Sequence, residues 1–314
     1  MNSLKSLSVF LLPIIIFIAG TGATTTSTPS SSSSSFIPIS QWRTSFRNLT
    51  AACRNGDSYH GLSSVKFYLN RYGYLEDSES KTYDDLYNDG FRSALMAYQK
   101  NFHVKPTGQL DKATLKSMMK PRCGVPDVGG ISIIHGRNLF TLFPGSPRWP
   151  PTHTSLTYGF SSNGVSITTD VLSAVLARAF QRWASVTSLT FTEVSISANP
   201  DVTINFYLGN HNDGYPFDGP MGMLAHAFAP TDGRLHFDAA EYWIGTVANV
   251  ESPLLTSSNM AIDLESVAVH EIGHIIGLGH TTIRNAIMYP SIAAQVRKVR
   301  LTVDDVRGAQ SLYG

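Results

Sequence analysis

Apolar side chains recur at helical spacing in two separate stretches of the chain. In the first, Leu62, Val65, Phe67, Tyr68 and Leu69 predict a helix that Gly73 closes. Leu86, Phe91, Leu95, Tyr98 and Phe102 predict a second, and Ala113–Met119 a third behind the turn Pro106-Thr107-Gly108. Three short amphipathic helices make a small bundle. Further on, Ser155–Phe160 alternates as a strand does, and Asp170–Val186 is a long helix. That helix carries Val171, Val175, Ala179 and Trp183 on one face, with Leu172, Leu176 and Phe180 beside it. Leu189–Val194 and Val202–Leu208 read as strands, and Leu224–Phe228 as an edge strand whose free backbone groups can pair with an extended peptide. Thr302-Val303-Asp304-Asp305 caps a last helix. Strand, helix, two strands, a loop, further strands and a helix predict an α/β (α+β) domain with a twisted mixed sheet.

The start of the chain has a different texture. Lys5 precedes the apolar run Leu7–Ala19, so residues 1–23 read as a secretory signal peptide, with cleavage between Ala19 and Ala23. The alternative, a membrane anchor, needs a longer run and a stop-transfer flank. Residues 24–39 are dominated by Ser, Thr and Pro and predict a disordered tether. Asn48-Leu49-Thr50 is an N-glycosylation acceptor in a chain taking that route. An apolar fraction of 42% supports a real core, and a net charge of +1 gives no electrostatic case for nucleic acid. The expected product is a secreted, soluble monomer without a membrane span.

Candidate chemistry is densest at His270-Glu271-Ile272-Gly273-His274-Ile275-Ile276-Gly277-Leu278-Gly279-His280. Histidines at i and i+4 share a helix face, Gly277 tolerates a positive φ, and His280 can return as a third ligand. Three neutral imidazoles leave a zinc ion one open position for water, with Glu271 beside it as general base: a zinc hydrolase. A His-Glu pair on an apolar helix is by itself usually packing, but the full spacing is far more specific. In the strap Pro121-Arg122-Cys123-Gly124-Val125-Pro126-Asp127, the Cys123 thiolate can take the fourth zinc position, with Arg122 and Asp127 as a bracing ion pair. Read alone, a Cys between prolines is more often a disulfide half, with Cys53 the partner available, or an inert thiol. His211, Asp213, His226 and His236 can close a four-ligand structural zinc site. Asp218, Asp238 and Glu241, with the turn Gly219-Pro220-Met221-Gly222-Met223, offer the hard oxygens calcium takes, the carbonyls of Gly219, Met221 and Met223 among them.

The strap, the long histidine motif and Ala286-Ile287-Met288-Tyr289-Pro290 together resemble the matrix metalloproteinases, or matrixins, of the metzincin clan. The likeness runs from about Leu62 to Gly314 and is closest to plant-type members, with no haemopexin-like propeller following. The segments Tyr98–Phe102 and Thr107–Asp111 resemble peptidoglycan-binding-like domains. The resemblance implies a propeptide at residues 40–127, an activation linker at 128–139 and a zinc protease domain with three helices at 140–314. It makes Cys123 a cysteine switch and leaves Cys53 unpaired. It assigns Met288 to an apolar floor under the zinc, Ser291–Leu301 to the outer wall of the specificity pocket, and Asp304 or Asp305 to the freed N-terminus, near Leu139 or Phe140. Structural zinc and calcium sit at the matching positions, and extended peptides are the substrates. A thermolysin-like enzyme takes a glutamate as third ligand, which His280 and Met288 do not fit. The reading from another class is a secreted polysaccharide-binding protein led by its first domain.

Overall fold

The computed structural model describes residues 54–76, 83–129, 131–132, 140–246 and 258–314. The signal peptide, the tether, Asn48, Cys53 and Leu139 lie outside the described residues.

Helices α1 (Leu62–Arg71), α2 (Asp89–Asn101) and α3 (Lys112–Met118) form the expected bundle. The second helix begins later than the apolar spacing suggests. Asn88 caps it, its side chain accepting from Phe91 N at 2.8 Å, and Leu86 stays outside as a bridge partner of Ser58. Asp111 caps α3 in the same way, through Thr114 N. Leu62, Val65, Leu69, Phe91, Leu95, Tyr98 and Met118 pack into one apolar cluster, against which Tyr289 from the far end of the chain also lies.

After α3 come three short strands, β1 (Arg122–Cys123), β2 (Ile131–Ser132) and β3 (Thr141–Leu142), of which β2 and β3 pair antiparallel. Then follow β4 (Ser155–Phe160), α4 (Thr169–Ala184), β5 (Thr190–Glu193), β6 (Val202–Tyr207), β7 (Met223–Ala227) and β8 (Arg234–Asp238). The small parallel pair β9 (Tyr242–Ile244) and β10 (Ala261–Asp263) leads into α5 (Leu264–Ile275), and α6 (Val303–Tyr313) ends the chain.

Six strands form one mixed sheet in the order β1-β7-β8-β6-β4-β5. β5, β4, β6 and β8 run parallel, and β7 runs antiparallel to β8. Parallel neighbours need a crossover, and α4 supplies it between β4 and β5. Its buried positions, Leu172, Val175, Leu176, Ala179, Phe180 and Trp183, recur every three or four residues, so one face is lost to the core. At roughly 1.5–3 kcal/mol for each large apolar side chain, that stripe outweighs every polar contact the helix makes. Trp183 crosses to α5 and donates from its indole N–H to Val269 O at 2.8 Å. Glu265 at the start of α5 is fully buried and answers three cations, Arg178, Arg182 and Arg297, at 2.7–2.8 Å. Those pairs tie α4, α5 and the segment leading to α6 into one frame around the site.

Candidate metal centre

α5 carries the histidine motif. Asp263 caps it through Ser266 N at 2.8 Å, and the helix ends at Ile275 because Gly277 turns to φ +105°. Leu278 N then donates back to Gly273 O, and His280 arrives over the face already holding His270 and His274. The three Nε2 atoms converge at 3.2–3.3 Å from one another.

Which nitrogen carries the proton follows from the partners. His270 Nδ1–H donates to Ile287 O and His274 Nδ1–H to Leu278 O, both at 2.7 Å. A carbonyl only accepts, so both Nε2 atoms present lone pairs. Burial holds the His270, His274 and His280 pKa values below the ordinary range, so all three rings are neutral. Cys123 Sγ completes the cluster at 3.4 Å from His274 Nε2, a free and fully buried thiol. Lone pairs packed so closely repel unless a cation joins them. A tetrahedral zinc with Zn–N of about 2.0–2.1 Å and Zn–S of about 2.3 Å spaces its ligand atoms by roughly 3.3–3.6 Å, and this donor set fits it. Burial pushes the Cys123 thiol up, with the neighbouring Glu271 adding to the effect; a metal ligand must instead be the thiolate.

Glu271, one residue on from His270, is wholly buried, and apart from the nearby Cys123 thiol neither carboxylate oxygen has a hydrogen-bond partner among the described residues. Burial raises its pKa to about 8, slightly opposed by the Cys123 thiol. Beside it opens a pocket lined by Leu224, Val267, Ile287, Pro290, Ile292 and Lys298, so the segment after Met288 supplies one wall. Met288 itself is buried under α5, so close to Gly273 that a Cβ there would overlap its Sδ.

The strap reaches the cluster as a sheet strand. Arg122 N donates to Gly222 O and Gly124 N to Ala225 O on the β7 side, while Cys123 N donates to Pro290 O opposite. The β7 edge expected to be free is therefore paired, in parallel, by β1. Gly124 lets the strap lie close to β7, because a Cβ there would meet Met223 Sδ and force that side chain to shift. Arg122 and Asp127 form the expected ion pair at 2.6 Å with neither side chain exposed, and the Arg122 guanidinium lies 3.4 Å from the centre of the Tyr72 ring.

A second cluster sits in the loops flanking β7 and β8. Asp213 Oδ2 lies 2.8 Å from His211 Nε2, 2.7 Å from His226 Nε2 and 2.9 Å from His236 Nδ1. Four donors with no gap for water suit a structural zinc. Hydrogen bonds to Tyr215 N and His226, against the effect of burial, hold the Asp213 carboxyl below its usual range. Nearby, Asp218 accepts from Met223 N, Asp238 from Gly219 N and Glu241 from Met221 N. Burial raises these carboxyls to about 7, 6 and 8 respectively, and Glu241 Oε2 has no partner.

Two contacts near the site went unread in the sequence, one of them made by a residue already named there. Asp305 accepts from Ile287 N and Met288 N at 2.9 and 3.0 Å, fixing the turn beneath the cluster. Arg71 of α1 crosses to the ring of Tyr215, 4.4 Å from its centre, and donates to Met223 Sδ at 3.4 Å. The capping pattern Thr302–Asp305 marks Asp305 as a cap, but nothing local points to the turn it holds.

Comparison with known proteins decides the family. The matrixin profile matches residues 148–314, and a peptidoglycan binding domain profile matches residues 61–118. The chain belongs to the matrixin family. Metalloendoproteinase 5-MMP of Arabidopsis thaliana is 44% identical to this matrixin, over 87% of the present chain and 76% of its own. Metalloendoproteinase 1 of Glycine max is 45% identical, over 82% and 84%. Interstitial collagenase of Oryctolagus cuniculus is 39% identical over 81% of the chain but 49% of its own length. This matrixin is of the plant type and is a zinc metalloendopeptidase, with a mixed-sheet metzincin-type fold following the helical bundle. Among the described residues no helix is long and apolar enough to cross a membrane.

Proposed function

We propose that this matrixin is a secreted endopeptidase made as a latent precursor. Residues 1–23 serve as its signal peptide, 40–127 as its inhibitory prosegment, 128–139 as the segment cut on activation and 140–314 as the catalytic domain. Its substrates are extended segments of extracellular-matrix or cell-wall proteins. One observation carries the reading: the Cys123 sulfur lies among the three imidazole nitrogens while its own strap occupies the β7 edge.

His270, His274 and His280 hold the catalytic zinc, joined by Cys123 in the precursor; the ion supplies a Lewis acid and a water of lowered pKa. Once the strap leaves, the β7 backbone pairs with the substrate, and the pocket at Val267, Ile287 and Ile292 receives one substrate side chain. Glu271 takes the proton of the attacking water at its carboxylate and returns it to the leaving amine. Burial favours the protonated form of that carboxyl, which eases its uptake of the proton. Met288 underlies the cluster as an apolar support. His211, Asp213, His226 and His236 hold a structural zinc. Asp218, Asp238 and Glu241 hold calcium together with carbonyls of Gly219, Met221 and Met223. Asn48 is the glycan acceptor, and the enzyme acts as a monomer.

The helical bundle is read as a scaffold for the strap. Phe102 packs edge-on against Tyr289 at 5.9 Å between ring centres, and Arg284 donates to the carbonyls of Phe102 and His103. The test is a pair of variants assayed on a quenched peptide library. Glu271→Gln in the processed enzyme should keep zinc and fold but lose nearly all turnover, and the Cys123→Ser precursor should cut without processing. A silent Cys123→Ser precursor would refute the latency mechanism, and near-normal cleavage by Glu271→Gln would remove the base.

A further inference from the structure

The three ligand histidines are not supported alike. His270 and His274 each lean their Nδ1–H on a backbone carbonyl that follows them in the chain, Ile287 O and Leu278 O. Both supports stay with the catalytic domain after processing. His280 has no such carbonyl. Its Nδ1 faces the Asp127 carboxylate instead, with Oδ1 at 2.8 Å, and neither side chain is exposed to more than 1%. The two groups are at ion-pair distance without being squarely in line for a hydrogen bond.

The carboxylate is held in place from several sides. Asp127 Oδ1 also receives Arg122 at 2.6 Å, and Oδ2 accepts from Tyr74 OH at 2.8 Å. Tyr74 OH is in turn the acceptor for Asn101 Nδ2 of α2 at 2.7 Å, and Asp127 N donates to Tyr72 O just beyond α1. The bundle thus aims a buried anion at the outer face of one ligand ring. An imidazole backed by a carboxylate is fixed in the tautomer that leaves Nε2 free, and it is the more basic donor. Arg122 offsets part of the negative charge, so the contact does not bury an unpaired anion.

From this we infer that Asp127 is a positioning residue for the catalytic metal: the prosegment backs the His280 ring, so the precursor grips its zinc through a carboxylate as well as through the Cys123 sulfur. Activation removes both grips together. The mature enzyme is left with a ring whose Nδ1–H meets water. The bland alternative is that Asp127 only braces the strap through Arg122. This inference rests on the functional reading above, because it needs zinc on His280.

The experiment separates the alternatives in the full-length precursor, by the rate at which zinc passes to a chromogenic chelator. In a background that combines Cys123→Ser with Glu271→Gln, the sulfur no longer contributes and the precursor does not process itself. Adding Asp127→Ala there should release the His280-site zinc about ten- to a hundred-fold faster, with Asp127→Asn in between. Arg122→Lys in the same background keeps a cation beside the carboxylate while weakening the brace, and it should change the rate less than Asp127→Ala does. Equal rates for the Asp127→Ala variant and its parent would overturn the inference while leaving the protease reading intact. Equal acceleration by Arg122→Lys and Asp127→Ala would also overturn it, in favour of a strap brace. If the Cys123→Ser precursor takes up no zinc at this site, the functional reading falls, and this inference falls with it.

Discussion

Replacing Asp305 by alanine tests whether the turn below the metal site is held from α6. The carboxylate is 1% exposed and accepts four hydrogen bonds: from Ile287 N at 2.9 Å, Met288 N at 3.0 Å, and Thr302 N and Oγ1 at 2.7 Å. Alanine strands two backbone N–H groups in a part of the core where Ile287 and Met288 are each 1% exposed. Each orphaned donor costs about 1–3 kcal/mol. Thr302 remains the cap of α6, but losing the Asp305 half of the capping box adds roughly 0.3–1.5 kcal/mol. A total near 4 kcal/mol corresponds to a fall in Tm of roughly 8–16 °C for a domain of this size. The effect extends to the metal. The peptide group that gives its N–H at Met288 to Asp305 offers its C=O at Ile287 to His270 Nδ1–H, 2.7 Å away. Asp305 and His270 therefore hold opposite ends of one peptide plane. Thermal unfolding followed by circular dichroism reads the first effect, and chelator competition for zinc reads the second. A fall of less than about 3 °C with unchanged zinc retention would refute the reasoning, because it would mean the turn keeps its shape without the carboxylate.

Gly273→Ala should destabilise by about 1–3 kcal/mol in urea unfolding, since the new methyl meets Met288 Sδ and approaches Trp183 to 3.0 Å. Adding Met288→Ala to Gly273→Ala should then cost less than Met288→Ala does alone; additive costs would mean that the two side chains do not share the space. The acidic loops predict a pH dependence with a definite sign. Asp218, Asp238 and Glu241 have folded pKa values raised by burial to about 7, 6 and 8, whereas the unfolded carboxyls titrate near 4. Without a cation, then, stability falls as pH rises from about 4 through 8, because the unfolded chain gives up protons that the buried cluster retains. Under a calcium-selective chelator, Tm should drop between pH 5.5 and pH 8, and added calcium should raise it far more at pH 8 than at pH 5.5. A calcium effect that is absent, or equal at both pH values, would remove the site from these residues.

How much of this was legible beforehand depended on the range of the contact. The α5 motif could be read because its geometry is local. His270 and His274 share a face by helix period, and Gly277 marks the exit by the φ only glycine adopts cheaply. The apolar stripe of α4 was readable for the same reason. Boundaries were read less well, since at α2 the Asn88 cap overrode the apolar spacing at Leu86. Long-range features were silent. Nothing near Asp127 announces a histidine 153 positions later, and nothing near Asp305 announces the peptide plane at Ile287 and Met288. The pairing of β1 with β7 was equally hidden, because two residues are too few to show a strand period. The four-ligand cluster falls between. Its residue types stood out, but only the folded loops bring Asp213 within 3 Å of three imidazoles.

Tyr289 belongs to two structures at once. It follows Met288 at the rim of the pocket beside Glu271, yet its ring packs against the apolar cluster of the helical bundle, edge-on to Phe102. Under the latency proposed above, prosegment and catalytic domain share an aromatic side chain across their seam, and cutting the chain between them would not by itself pull the two apart. On that reading the severed bundle has to release this ring, along with the Arg284 and strap contacts, before the cleft opens, so the nick and the onset of catalysis would be separate events.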